Sequence, residues 1–410
     1  MKDVFKYFAV SSIPKSIWML GVVSFLINVS SIIVFTISPS YLIKVLGVTT
    51  LGMGFLQGTV DCTAWFTRIF SGILSDYWGK RKLILMFASG LIFLSRPLFI
   101  FSPDFIWFYG AKTLDRFGNG IQATPREALI GDMAPQHLRG ACYGLRQSLS
   151  VAGSLVGAIV IIFFPQTSEV YYTTLFWIAA IPPLMALIIL FLAVKDVPFE
   201  NTRLKEKSMF SFKNVKSFSS DYWSVVGVSC LFALSNYSGA FMLLHAESIA
   251  GNKIIAPLAM MIQNGAAMIS AYPIGHLSDR IGHRLLLATG FLMVVISGFF
   301  FAFATNTLEI IIGAMLWGFQ IGITQSLLMT KVAETTVVSI RGTAFGIYYA
   351  LMGIMLFLSN IAMGSISHYV NFSAAFLASS AMAAFALCCL PLMKSSEKTR
   401  KNKIAEAIAS

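Results

Sequence analysis

Inside one long apolar run, Asp115, Asn119, Gln122 and Arg126 follow one another at helical spacing, and Lys112, Arg116 and Asn119 make an adjoining polar face. A carboxylate beside a guanidinium is the chemistry of a proton switch. The cation holds the acid ionised, and separating the pair or displacing it with a ligand favours protonation. Asp115 and Asp61 are the candidate proton carriers, with Arg116 as the expected partner of Asp115. The competing reading is a static ion-pair cluster that ties neighbouring helices together. An ion inside a bilayer costs about 3 kcal/mol or more, so each one is a functional candidate. Counted by sign, Arg68, Arg96, Lys112, Arg116, Arg126 and Arg146 oppose Asp61, Asp115 and Glu127. A cavity with that positive surplus favours an anionic or carboxylate-bearing ligand, or one that brings protons.

These charges need elements that bury them. The chain has 410 residues, 57% hydrophobic and only 12% charged. A soluble domain carries about twice that charged fraction. The apolar residues fall in runs of bilayer-spanning length, and twelve are expected. They lie at 17–39, 51–74, 83–103, 105–131, 143–164, 171–194, 223–245, 254–277, 285–304, 307–330, 343–366 and 372–393. The first is too long for a signal-peptide core and reads as a retained span. At about 1.5 Å per residue, Asp61, Arg96 and Asp115 share one slab near mid-membrane, with Arg68 and Arg126 deeper toward the cytoplasm. Arg96, followed by Pro97, reads as structural. Arg146, at the inner end of span five, reads as a snorkelling interfacial residue.

The net charge of +12 raises the possibility of a nucleic-acid partner, but its placement excludes that reading. With both termini cytoplasmic, 22 of the 30 Lys and Arg residues fall in cytoplasmic segments, and only Lys44 and Lys253 fall in outer loops. That bias fixes the orientation. The basic surface faces anionic lipid headgroups. The five cysteines lie in or beside spans and show no disulfide or metal-ligand spacing, and no cofactor is expected.

The chain also repeats itself. Gly72-Ile73-Leu74-Ser75-Asp76-Tyr77-Trp78-Gly79-Lys80-Arg81 returns as Gly275-His276-Leu277-Ser278-Asp279-Arg280-Ile281-Gly282-His283-Arg284. Span four slides onto span ten at a constant offset of 202 residues. Gly120 then meets Gly322, Asp132 meets Glu334, and Arg139-Gly140 meets Arg341-Gly342, but the charges between do not align. Shared positions read as architecture and unshared ones as chemistry. In the second half Asn236, Tyr237, Trp317 and Gln320 are polar or aromatic residues within spans, candidates to line a cavity with Lys112, Asn119, Gln122 and Arg126.

The doubled Gly-x-Leu-Ser-Asp pattern between spans two and three, and again between eight and nine, resembles the most specific motif of the major facilitator superfamily. The similarity covers nearly the full length. It implies an all-α membrane protein of twelve helices in two pseudo-symmetric six-helix bundles that rock about a central cavity. The expected divisions are 1–194 and 222–393 for the bundles, 195–221 for a cytoplasmic linker and 394–410 for a cytoplasmic tail. It implies a gating set of Gly72, Asp76, Gly79, Lys80 and Arg81 with an acid at the inner end of span four, matched by Asp132. The second copy is Gly275, Asp279, Gly282 and Arg284 with Glu334. Arg116-x-x-x-Gly120-x-x-Ala123 resembles the family's span-four motif, whose arginine is associated with proton coupling. The run from Asp115 to Asp132 resembles a poorly characterised bacterial branch. Gly153-x-x-x-Gly157 lacks the following proline of many proton-antiporting exporters, which weakens an exporter assignment.

The expected protein is therefore a monomeric, proton-coupled secondary transporter of the cytoplasmic membrane, not an enzyme, moving a small organic solute such as a carboxylate metabolite or a siderophore. The alternatives are a multidrug-type proton antiporter and a nontransporting nutrient receptor on the same fold.

Overall fold

The computed structural model describes residues 13–78, 80–135, 138–164, 171–194, 218–251, 254–281, 283–336 and 341–393. Most of the expected linker and all of the expected tail lie outside them. The described residues are helical almost throughout. The first unit carries α1 (Lys15–Lys44), most of α2 (Thr50–Trp78), α3 (Arg81–Ile100), α4 (Phe105–Met133), α5 (Arg139–Phe163) and α6 (Tyr171–Ala193). The second carries α7 (Ser220–Ser235), α8 (Gly239–Ala250), α9 (Ile255–Ile281), α10 (His283–Ala302), α11 (Thr307–Glu334), α12 (Arg341–Tyr369) and α13 (Phe372–Cys389). Residues 49–58, which include the start of α2, belong to the second unit.

Among the described residues, nine helical stretches are long and apolar enough to cross a bilayer. Two of the other three expected spans are interrupted by charge. Asp61, Arg68 and Asp76 interrupt α2, and Lys112, Asp115, Arg116, Arg126, Glu127 and Asp132 interrupt α4. In α9 the apolar stretch Ile255–Ser270 lies within the expected span. The charged helices are those that protein, not lipid, must surround.

Within the first unit α1 packs on α5 and α6, and α3 packs on α4 and α6. Within the second, α7 packs on α12 and α13, and α10 packs on α11 and α13. The pairings correspond member for member. The correspondence extends to the caps. Asp104 accepts from the Trp107 N–H at 3.0 Å to start α4, and Asn306 accepts from the Glu309 N–H at 3.1 Å to start α11. These two N-caps stand 202 residues apart, the same offset as the glycines and inner acids.

Small residues set the closest approaches. A Cβ on Gly153 would collide with the Phe25 carbonyl oxygen, and one on Gly157 would lie 2.7 Å from that of Val29. The Gly-x-x-x-Gly of α5 thus lets the α1 backbone come into contact. Gly118 does the same for α4 on α3, where an added Cβ would sit 2.9 Å from the Ala88 carbonyl oxygen. That approach places Arg96 of α3 beside α4.

The expected seventh span, 223–245, is two helices. The chain leaves helical geometry at Asn236–Ser238 without a proline. Backbone groups freed there find side chains. The Ser359 hydroxyl is placed to donate to the carbonyls of Leu234 (3.0 Å) and Asn236 (2.5 Å), and Ser379 donates to that of Ser235 at 2.5 Å. The Ser238 N–H donates to Asn360 Oδ1 at 2.7 Å. A buried backbone group left unpaired in a bilayer costs several kcal/mol, so these four contacts are what make the break tolerable.

Candidate functional site

Asp115 is buried on α4, and its partner comes from a neighbouring helix. Arg96 Nη2 stands 2.9 Å from Asp115 Oδ1, with the two side chains 0% and 5% exposed. The contact is an ion pair whose angles fall outside hydrogen-bond geometry. This corrects the expected Asp115–Arg116 pairing. Consecutive residues on a helix point about 100° apart, so Arg116 faces elsewhere. Arg96, read from the sequence as structural, is the residue that joins α3 to Asp115 of α4.

Arg116 lies with its guanidinium carbon 5.6 Å from the centre of the Phe35 ring on α1. Lys112 Nζ lies 5.8 Å from the same ring and 6.0 Å from that of Phe108. Aromatic faces attract cations, most strongly where water is excluded. Lys112 is 1% exposed, and its ammonium has no hydrogen-bond partner among the described residues. Asp61, Asp115 and Arg116 are all within its electrostatic reach. The slab expected from helix rise is thus one cluster, with three cations around two carboxylates. Phe35 was missed in the sequence because one phenylalanine among 35 carries no signal of its own.

The polar face of α4 continues toward its C-terminus. Asn119 Nδ2 donates to the Asp115 carbonyl at 2.9 Å, and Gln122 Nε2 donates to Asn119 Oδ1 at 3.0 Å. Arg126 does not join them. It stands with Glu127 of α4 and Arg146 of α5, whose Nη2 is 2.8 Å from Glu127 Oε1. Arg68 of α2 is within electrostatic reach. Arg146 is therefore a paired, largely buried residue, which corrects its reading as a snorkelling one.

At the C-terminal end of α4, Asp132 pairs with Arg81, which opens α3. Lys80 is exposed at the α3 cap and Gly72 lies on α2, where an added Cβ would meet Thr124 Cγ2 at 3.1 Å. In the second unit Glu334 lies 2.9 Å from Lys331 Nζ and 3.6 Å from His283 Nδ1. His283 occupies the place of Lys80, while Arg284 is exposed. Gly275 lies on α9. Gly79 and Gly282 lie outside the described residues, as do the side chains of Asp76 and Asp279.

The second-unit candidates gather at the helix break. The Tyr237 and Trp317 rings meet edge-on with centroids 4.0 Å apart, and the Tyr237 hydroxyl has no hydrogen-bond partner among the described residues. Gln320 Nε2 reaches Asn236 Oδ1 at 3.5 Å, and Thr324 donates to Gln320 Oε1 at 3.2 Å. At the aligned positions the first unit carries Lys112, Asp115 and Arg116 where the second carries Ala314, Trp317 and Gly318, so the ions of α4 have no charged counterpart on α11.

Comparison with known proteins gives a consistent family. The chain is similar to an uncharacterized MFS-type transporter of Methanocaldococcus jannaschii, 26% identical over 83% of this chain and 86% of that one. It is also similar to the cis,cis-muconate transport protein of Acinetobacter baylyi, 22% identical over 68% and 69%. Among solved structures, a variant of the peptide transporter POT superposes with a TM-score of 0.77 at 12% identity, covering 93% of this chain and 96% of that one. The sequence pattern of the Major Facilitator Superfamily matches residues 19–269 and 231–408. Matched from near its start to near its end, and folded like a solved transporter, this multi-pass membrane chain belongs to the Major Facilitator Superfamily.

Proposed function

We propose that the chain is a twelve-span transporter of two pseudo-symmetric bundles that moves a small organic anion by alternating access, coupled to protons. The observation that carries this reading is the buried Arg96–Asp115 pair set among Lys112, Arg116 and Asp61. A carboxylate held by one of three cations can exchange partners when an anionic solute enters. The solute's carboxylate takes a cation, and Asp115 is then released to take a proton. Asp61 is the second acid in reach. The name of the Acinetobacter relative, a muconate transport protein, is in keeping with an organic anion. Arg81–Asp132 and His283–Glu334 act as cytoplasmic latches that close and part as access alternates. Linker and tail sit in the cytoplasm, and the protein works as a monomer in the cytoplasmic membrane.

The test is uptake into proteoliposomes with an imposed pH gradient, screened with carboxylates and matched neutral solutes. Asp115→Asn and Asp61→Asn are expected to lose gradient-driven accumulation and to keep solute exchange. Arg116→Gln is expected to lose preference for the anion. Equal loss of accumulation and exchange would refute proton carriage. Anion uptake unchanged by Arg116→Gln would refute the charge argument. Saturable binding with no flux at all would identify a receptor instead.

A further inference from the structure

The three cations of the Arg96–Asp115 cluster are not equally committed. Arg96 stands 2.9 Å from Asp115. The Lys112 ammonium and the Arg116 Nε are buried without a hydrogen bond among the described residues. What these two face is a ring. Both lie over Phe35 of α1, at 5.8 and 5.6 Å from its centre. A phenyl face is a weaker partner for a cation than a carboxylate is. Phe108, the other ring beside Lys112, is fully buried and stacks on Tyr41 with centroids 5.4 Å apart. Phe35 differs from it. Its side chain is half-buried and meets no other ring among the described residues. Arg116 is half-buried as well, so Phe35 and Arg116 form the edge of the cluster that a solute can reach. Lys112 and Arg116 sit one turn apart, about 6 Å along α4, a gap that one carboxylate bridges with an oxygen on each cation.

We propose that Phe35 sets the specificity of this site, selecting a carboxylate attached to a flat, unsaturated or aromatic body. Before a solute binds, the ring holds Lys112 and Arg116 in place. A carboxylate that bridges the two cations lies beside the ring, and the body attached to it stacks on the accessible part of Phe35. In a conjugated acid the carboxyl group and the body share one plane, so the body follows its carboxyl group across the ring and presents a π face to it. A saturated ring is puckered and has no such face. This deepens the proposed function, on which it rests for the anionic solute.

A matched pair of acids tests this by binding alone. The full chain is placed in phosphatidylcholine nanodiscs at neutral pH and titrated calorimetrically with benzoate, cyclohexanecarboxylate and, as the uncharged control, benzamide. Benzoate is expected to bind about threefold to tenfold more tightly than cyclohexanecarboxylate, the worth of one aromatic pair. Cyclohexanecarboxylate is the more hydrophobic of the two, so a merely apolar pocket would give the opposite order. Phe35→Leu abolishes or inverts the preference, and Phe35→Tyr keeps it. Because the readout is a ratio of two probes on one sample, damage to the fold does not imitate this result. Lys112→Gln weakens both acids alike, by about tenfold or more, the loss of one charge-assisted contact. Equal binding of the two acids by the wild type, or tighter binding of cyclohexanecarboxylate, would overturn the role of Phe35 and leave the anion reading standing. A preference for benzoate that survives Phe35→Leu would overturn it too. If neither acid binds more tightly than benzamide, the anion reading fails and this inference falls with it.

Discussion

Removing Asp115 should cost more than removing Arg96, although the two form one ion pair. Breaking a buried pair from one side costs about 3–5 kcal/mol, because it strands a charge. Here the two stranded charges differ. Asp115→Asn leaves Arg96, Lys112 and Arg116 with Asp61 as the remaining carboxylate in reach, so cations repel across a water-poor site. Arg96→Gln leaves Asp115 within reach of Lys112, whose ammonium has no hydrogen-bond partner among the described residues and can turn to it. We expect Asp115→Asn to fall in the upper part of that range and Arg96→Gln to fall below about 3 kcal/mol. The double variant Arg96→Met with Asp115→Asn strands neither partner and should lie within about 1 kcal/mol of wild type. The assay is reversible unfolding in mixed detergent micelles, run as a double-mutant cycle beside proteoliposome uptake. The double variant should be stable and should fail to accumulate solute against a gradient. Additive single effects would falsify the coupling. A larger cost for Arg96→Gln than for Asp115→Asn would overturn the role given to Lys112.

Three further outcomes follow from the packing. Gly153→Ala drives a methyl into the Phe25 carbonyl and should cost about 1–3 kcal/mol, read as a lower unfolding midpoint, whereas Gly144→Ala, with open space around it, should be neutral or slightly stabilising. Ser359→Ala strips the donor from two carbonyls at the helix break and should destabilise by about 1–3 kcal/mol. Its control is Ser248→Ala, whose hydroxyl serves the His245 carbonyl of its own helix and should cost under about 1 kcal/mol in the same unfolding assay. Arg81→Gln should slow transport more than it lowers stability, since the pair with Asp132 is partly solvated and worth about 1 kcal/mol; equal affinity with a reduced maximal rate is the expected kinetic result.

Much of this molecule is legible in its residues, and the boundary is physical. Long apolar runs announce helices because a bilayer leaves few alternatives. The constant offset of 202 residues locates inner acids, glycines and caps alike, since repeated backbone geometry requires repeated local chemistry. Arg81 and Asp132 pair where the motif resemblance puts them. The partner of Asp115 was not legible, because it depends on the rotation of α3 against α4, and no spacing within either helix encodes that phase. Arg116 lies nearest in sequence but on another face. The break in the seventh span carries a weak local signal, Asn236-Tyr237-Ser238-Gly239, in which Asn and Ser compete for backbone groups. Its permanence depends on Ser359, Asn360 and Ser379, more than a hundred residues away.

That dependence has a mechanical result. A continuous helix resists bending along its whole length, because each turn is bonded to the next. The α7–α8 rod is instead spliced by hydroxyls and an amide that can re-form their contacts after a tilt of a few degrees. A tilt between α7 and α8 would be taken up at Asn236–Ser238, beside the contact of Tyr237 with Trp317.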